Sequence, residues 1–140
     1  MSTTLRPTVS VRNAMLDALR TQLDIDVGAG TVKIYTGTIP ATGDTAIGAQ
    51  VLLGTLTLTD PAAPAAAAGV LTLSAITEDS IADATGTATW ARVQSASTAS
   101  GFDCSVGATG SGEVIELNTT SIVAGGPIRI TAFTITAPQT

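Results

Sequence analysis

Carboxylates that crowd together in sequence are the first candidates for chemistry. Glu78, Asp79 and Asp83 fall within TEDSIADATG, the densest acidic stretch of the chain. Loops of this kind give hard cations such as Ca²⁺ their oxygen ligands, but the ligand order of an EF-hand is missing. Two carboxylates also serve glycosidases, yet no aromatic residue follows closely in sequence to carry a sugar. A solvated acidic loop is the simpler reading. Gly107, Gly110 and Gly112 suggest a phosphate-binding turn. That use requires a Gly-Lys-Ser/Thr ending and a following helix, whereas EVIEL reads as strand, so the glycines read as a hairpin turn. Cys104, in FDCSV, alternates with Phe102 and Val106 and reads as a buried thiol. Trp90, the one tryptophan, reads as a core anchor.

Composition narrows the chemistry further. The chain has 140 residues, which suits one domain. It has no histidine and one cysteine. A Ser-His-Asp or Cys-His site cannot be built from it, zinc lacks its commonest ligands, and no intrachain disulfide can form. Charged residues are 12% and hydrophobic residues 44%, against about 25% charged in an average domain. The net charge of −5 opposes binding to phosphate backbones. No apolar run reaches the length of a membrane span, about 18 residues, and MSTTLRPTVSV lacks the apolar region of a signal peptide. The expectation is a protein that is not an enzyme and uses no cofactor or metal, with no nucleic-acid or membrane partner.

The elements follow from periodicity. Val11, Ala14, Met15, Ala18, Leu19 and Leu23 recur at three- and four-residue spacing and predict a helix over about 8–24. Thr8 or Ser10 can cap it, and Gly28 and Gly30 lie beyond its end. Arg12, Asp17, Arg20 and Asp24 fall off that stripe and read as solvated. After Gly30 the period becomes two. Segments 31–36, 51–59, 69–76, 86–94, 101–106, 113–123 and 126–136 predict about seven or eight strands between turn residues. In the last, Ile128 and Ile130 are out of phase with Phe133 and Ile135, which a β-bulge near Thr131–Ala132 would repair. The predicted core is Val32, Ile34, Leu52, Leu56, Leu58, Leu71, Leu73, Trp90, Phe133 and Ile135. The fold class expected is mainly β: an antiparallel β-sandwich, immunoglobulin-like or jelly-roll-like, with one N-terminal α-helix. Residues 1–7 are expected to form a flexible arm and 8–140 a single domain, with the sandwich over about 31–137.

Two connections are long and nearly uncharged. Residues 37–50 (GTIPATGDTAIGAQ) hold Asp44 as their one charge, and residues 60–68 (DPAAPAAAA) hold Asp60. Long loops without structure of their own tend to carry a task. Leu5 in the arm, Ile39, Pro40 and Ile47 in the first loop, and Pro61 and Pro64 in the second are therefore the candidate protein-contact residues.

Several stretches carry a resemblance. RNAMLDAL (12–19), VKIYTGTIPATGDTA (32–46), LLGTLTL (52–58), GVLTLSAITEDSIADATGTATWARV (69–93) and ELNTTSIVAGGPIRITAFTIT (116–136) follow one another in an order that resembles small virion-associated proteins of tailed bacteriophages. IYTG, SIADATGTA and LNTTSIVAGG are its most specific pieces, and none is a catalytic motif. The resemblance implies a virion structural protein made in the host cytoplasm. Its partners would be other virion proteins, the major capsid protein or tail proteins, and it would act as a homo-oligomer. Small size, low charge and apolar loops suit a capsid decoration or cement protein. A neck, tail or fibre-associated protein, or an immunoglobulin-like binding module, is the alternative.

Overall fold

Thr8 starts the helix. Its backbone is extended and its hydroxyl accepts the Val11 N–H, so α1 runs Val9–Leu23 and Ser10 lies inside it. Asp24 ends it, its N–H shared between the carbonyls of Arg20 and Thr21. These coordinates are a computed structural model that describes residues 5–137; residues 1–4 of the expected arm and residues 138–140 lie outside the described residues.

The helix does not pack on the expected stripe. Leu16 and Leu23 are buried and Leu19 half-buried, while Val11 and Met15 remain 49% and 45% exposed. A polar row decides the orientation. Asn13, Asp17 and Asp24 accept the backbone N–H groups of Gly69, Ala66 and Ala62 at 2.9, 2.8 and 2.9 Å. Their spacing places them on one side of the helix. The alanine-rich segment they hold has no polar side chain to satisfy its own amides. Leaving a buried donor unpaired costs about 1–3 kcal/mol, so three such bonds outweigh the burial of Val11 and Met15. Arg12 is drawn in with the row: it is 7% exposed, not solvated, and lies against Gly69, where any Cβ would overlap its guanidinium. Among the described residues its Nε and Nη1 have no hydrogen-bond partner.

Among the described residues nine strands follow: β1 (Thr31–Tyr35), β2 (Leu52–Thr57), β3 (Val70–Thr72), β4 (Gly86–Thr87), β5 (Trp90–Gln94), β6 (Gly101–Ala108), β7 (Ile115–Leu117), β8 (Ser121–Ile122) and β9 (Ile130–Thr136). Seven of them form one sheet in the order β2-β1-β5-β6-β7-β9-β3, and β4 and β8 pair separately. The protein is thus mainly β, with a largely antiparallel sheet and one helix. One pairing departs from the antiparallel expectation: β6 and β7 run parallel. The turn at Gly107–Gly112 is consequently not a hairpin turn. Gly110 and Gly112 adopt φ of +86° and +81°, which only glycine takes without strain, and their N–H groups are held by the Glu116 carboxylate at 3.1 and 2.9 Å.

The two edge strands are linked through one segment. Leu71 pairs with Ile135 of β9, and five residues beyond β3 Thr77 exchanges backbone hydrogen bonds with Thr57 of β2, at 2.8 and 3.3 Å. Asp79 then pairs its backbone with Ile128, and its carboxylate accepts the Thr55 N–H at 2.9 Å. Gly54 makes room for both: a Cβ there would lie 2.5 Å from the Ile128 side chain and 2.7 Å from the Asp79 carboxylate.

Bulges correct two predicted core positions and place a third feature where the sequence puts it. Ile34 faces Gly54 but Tyr35 faces Leu52, so Leu53 is the extra residue. Leu53 becomes fully buried and Leu52 only half-buried. In β9, Glu116 faces Ala132 and Leu117 faces Ile130, so Thr131 is the extra residue. The phase shift buries Ile128 and Phe133 together, with Ile135 half-buried. Val32, Ile34, Leu56, Leu58, Leu71, Leu73 and Trp90 are buried as expected.

Leu56→Ala removes a fully buried side chain and is expected to cost about 2–5 kcal/mol, with Leu52→Ala costing clearly less; urea unfolding of the two variants measures the difference. The helix contacts also carry a pH dependence. The Ala66 N–H, followed by Arg20, holds the Asp17 carboxyl below its ordinary value of 3.8. Asp26, bound by Ser95 and Ser97, is lowered in the same way. A carboxyl depressed in the folded state stabilises above the unfolded value, and that contribution is lost as pH falls through the folded one. Thermal melts are expected to show stability dropping below pH 3.8, with a shallower acid limb in Asp17→Asn.

Candidate functional site

The acidic stretch is dispersed by the fold. Glu78 pairs with Arg129 at 2.7 Å, Asp79 is occupied with backbone amides, and Asp83 is exposed. Among the described residues no group of three His, Cys, Asp or Glu side chains is placed to hold a metal ion. The N–H groups of Gly110 and Gly112 bind the Glu116 carboxylate, a negative group where a phosphate would have to sit. Cys104 is 8% exposed and Trp90 1%. The indole N–H of Trp90 donates to the Thr36 carbonyl at 3.0 Å, and its ring stacks on Tyr35 with centroids 4.7 Å apart.

The 60–68 connection turns inward. Ala62 and Ala63 are 1% exposed beneath α1, leaving Pro61 and Pro64 at the surface beside them. Leu5 is 70% and Ile39 43% exposed; Pro40 and Ile47 are half-buried. The fold does not gather these six residues on one site. It does join Ile39 and Pro40 to residues not singled out from sequence.

The join is made by Arg92. This residue stands directly opposite Asp103 on the neighbouring strand. Its Nε and Nη2 bind the two Asp103 oxygens at 2.7 and 2.9 Å, and Nη2 also donates to the Thr45 carbonyl at 2.8 Å. The guanidinium carbon sits 5.6 Å from the centroid of the Trp90 ring. Hydrogen bonding to Asp103 raises the Arg92 pKa above its ordinary value. One buried ion pair thereby clamps the 37–50 loop to β5 and β6. The loop also holds itself: Gln50 donates to the Thr38 carbonyl at 2.7 Å and accepts from the Gly48 N–H at 2.9 Å.

Between the clamped loop and the start of β6 lies an open groove of about 460 Å³. It is lined by residues 39–44 of the loop and 101–103 of β6, Thr42, Asp44 and Asp103 among them. Asp103 is neutralised by Arg92. Asp44 forms no ion pair among the described residues, but its charge adds to that of Asp103 in raising the Arg92 pKa, and the groove exposes more polar than apolar surface. The sequence signal for Arg92 was slight: a charge inside the apolar strand WARVQ. Its pairing with Asp103 depends on strand register.

Comparison with family models, with curated proteins and with solved structures returned no match.

Burial pushes the Cys104 thiol up to about 12. Since the thiolate is the reactive form, Cys104 is expected to stay unmodified by a thiol-exchange reagent in neutral or mildly alkaline buffer and to react fully once denaturant is added.

Proposed function

We propose that this protein is a structural component of a tailed-bacteriophage virion, and specifically a capsid decoration protein that stabilises the head through contacts with the major capsid protein. The observation that carries the reading is the 37–50 loop. It is exposed, holds one charged side chain, and is fixed in advance by Gln50 and by the Arg92 clamp. Protein interfaces are depleted of charge at their centres, and an ordered loop loses less entropy on docking than a free one. The stretches that resemble virion-associated proteins, IYTG and SIADATGTA among them, support the same reading. So does the net charge of −5, which keeps an outer-shell protein off packaged DNA.

The body is read with it as a sandwich-like module. The segment that pairs with both β9 and β2 supports this, because it joins the two edges of the seven-stranded sheet. The protein is made in the host cytoplasm and resides on the particle in many copies, without enzymatic activity and without a cofactor.

A cryo-electron microscopy map of virions from the phage that encodes the chain tests the reading. Density for this fold is expected at repeating positions on the capsid lattice. Density on the neck, tail or fibres would assign the alternative virion role, and absence from the particle would overturn the proposal. Ile39→Asp is expected to reduce incorporation while leaving the melting temperature of the isolated protein nearly unchanged, because Ile39 is exposed and a charge in a desolvated contact is poorly tolerated.

A further inference from the structure

One buried charge has no counter-charge. Arg12 is 7% exposed, and its Nε and Nη1 are buried with no hydrogen-bond partner among the described residues. Arg20, Arg92 and Arg129 are each paired with a carboxylate, whereas Arg12 forms no ion pair among the described residues. The elements around it cannot supply one. The guanidinium lies against Gly69, whose N–H is held by Asn13 and whose carbonyl accepts the Ala137 N–H at 3.1 Å. The first half of α1, the alanine-rich run with β3, and the end of β9 therefore meet here. Residues 1–16, 61–77 and 130–140 contain no Asp or Glu. Asp17, the first carboxylate along the helix, is taken by the Ala66 N–H and by Arg20.

The surroundings favour a negative group. A helical side chain leans back over the preceding turn, which sets the guanidinium toward the positive end of α1. The first turn of that helix carries no acidic residue. The facing wall is a tight turn. Ala68 and Gly69 have φ of +53° and +74°, and the Ala67 and Val70 backbones exchange hydrogen bonds across them at 3.0 and 2.9 Å. Glycine at 69 leaves the guanidinium its space, since a Cβ there would lie 2.8 Å from Arg12 Cζ. A desolvated cation without a counter-ion is costly, and an apolar side chain of similar length would avoid that cost.

We propose that Arg12 is the seat of an oxyanion site between α1 and the 67–70 turn, which takes a carboxylate or phosphate group from outside the chain. Two orphaned donors on a planar cation suit the oxygens of such a group. The site stands apart from the virion role and does not rest on it.

Thermal melts at constant ionic strength, with inorganic phosphate or acetate replacing part of the chloride, provide the test. In the wild type at least one of the two anions is expected to raise the melting temperature saturably, by roughly 3–6 °C at tenfold excess over Kd. Arg12→Met is expected to fold, because it removes a buried unpaired charge, and to show no saturable rise. Arg6→Met, at an exposed position, is expected to keep the rise. Nitrogen-15 NMR of the Arg12 Nε–H in the wild type gives a second readout, and its resonance is expected to move with the same midpoint as the melts. A response to phosphate alone assigns a phosphate group, a response to acetate alone a carboxylate, and a response to both an oxyanion of either kind. No saturable rise in the wild type, a rise retained in Arg12→Met, or an Arg12 resonance that does not move would overturn the proposal.

Discussion

The run from Ala62 to Asp79 is hydrogen-bonded to the helix on one stretch and to the sheet on another, and much of the molecule is arranged around that fact. Its alanines bring no polar side chains, so its amides must find partners elsewhere. Asn13, Asp17 and Asp24 supply them from the helix. Further along, β9, Thr57 and Ile128 supply them from the sheet and its approach. One extended segment therefore docks the helix and ties both sheet edges. An exposed sheet edge invites pairing with another chain; here the segment lies along β9 as β3 and meets the β2 edge at Thr57.

Meeting that demand turns α1 around its axis. The charges at Arg12, Asp17, Arg20 and Asp24 are spent on the body of the protein, while Val11, Ala14, Met15 and Ala18 face outward. The inner face of α1 thus combines this polar row with Leu16, Leu19 and Leu23. The arrangement persists because backbone amides in a low-dielectric setting are costly to leave unpaired, whereas an exposed alanine or valine costs little.

What the sequence conveys and what it conceals divides along the same line. The change from a period near three and a half to a period of two marks the helix and the strands. Even the slip at Thr131 is visible, because Ile128 and Phe133 must both be buried and cannot be in a regular strand. The helix face is not visible, since the partners of Asn13, Asp17 and Asp24 lie 56, 49 and 38 residues away. Leu53 displaces Leu52 only because of how β1 pairs with β2. The groove is hidden for a similar reason: Asp44, Arg92, Phe102 and Ile39 meet only after β5 and β6 have found their register. The parallel pairing of β6 with β7 across a glycine-rich connection has no signature in hydrophobic alternation at all.

The sheet order has a consequence for how the chain reaches this state. β9 is the last strand in chain order, yet it lies between β7 and β3, not at an edge. β3, under the helix, waits for β9, and β1 waits for β5. A ribosome delivers the helix and β3 well before β9 exists. Such pairings close long loops before they are rewarded, which slows folding. The nascent chain thus holds β3 without its strand partner until β9 emerges, whereas β2, β1, β5 and β6 find their partners in one another.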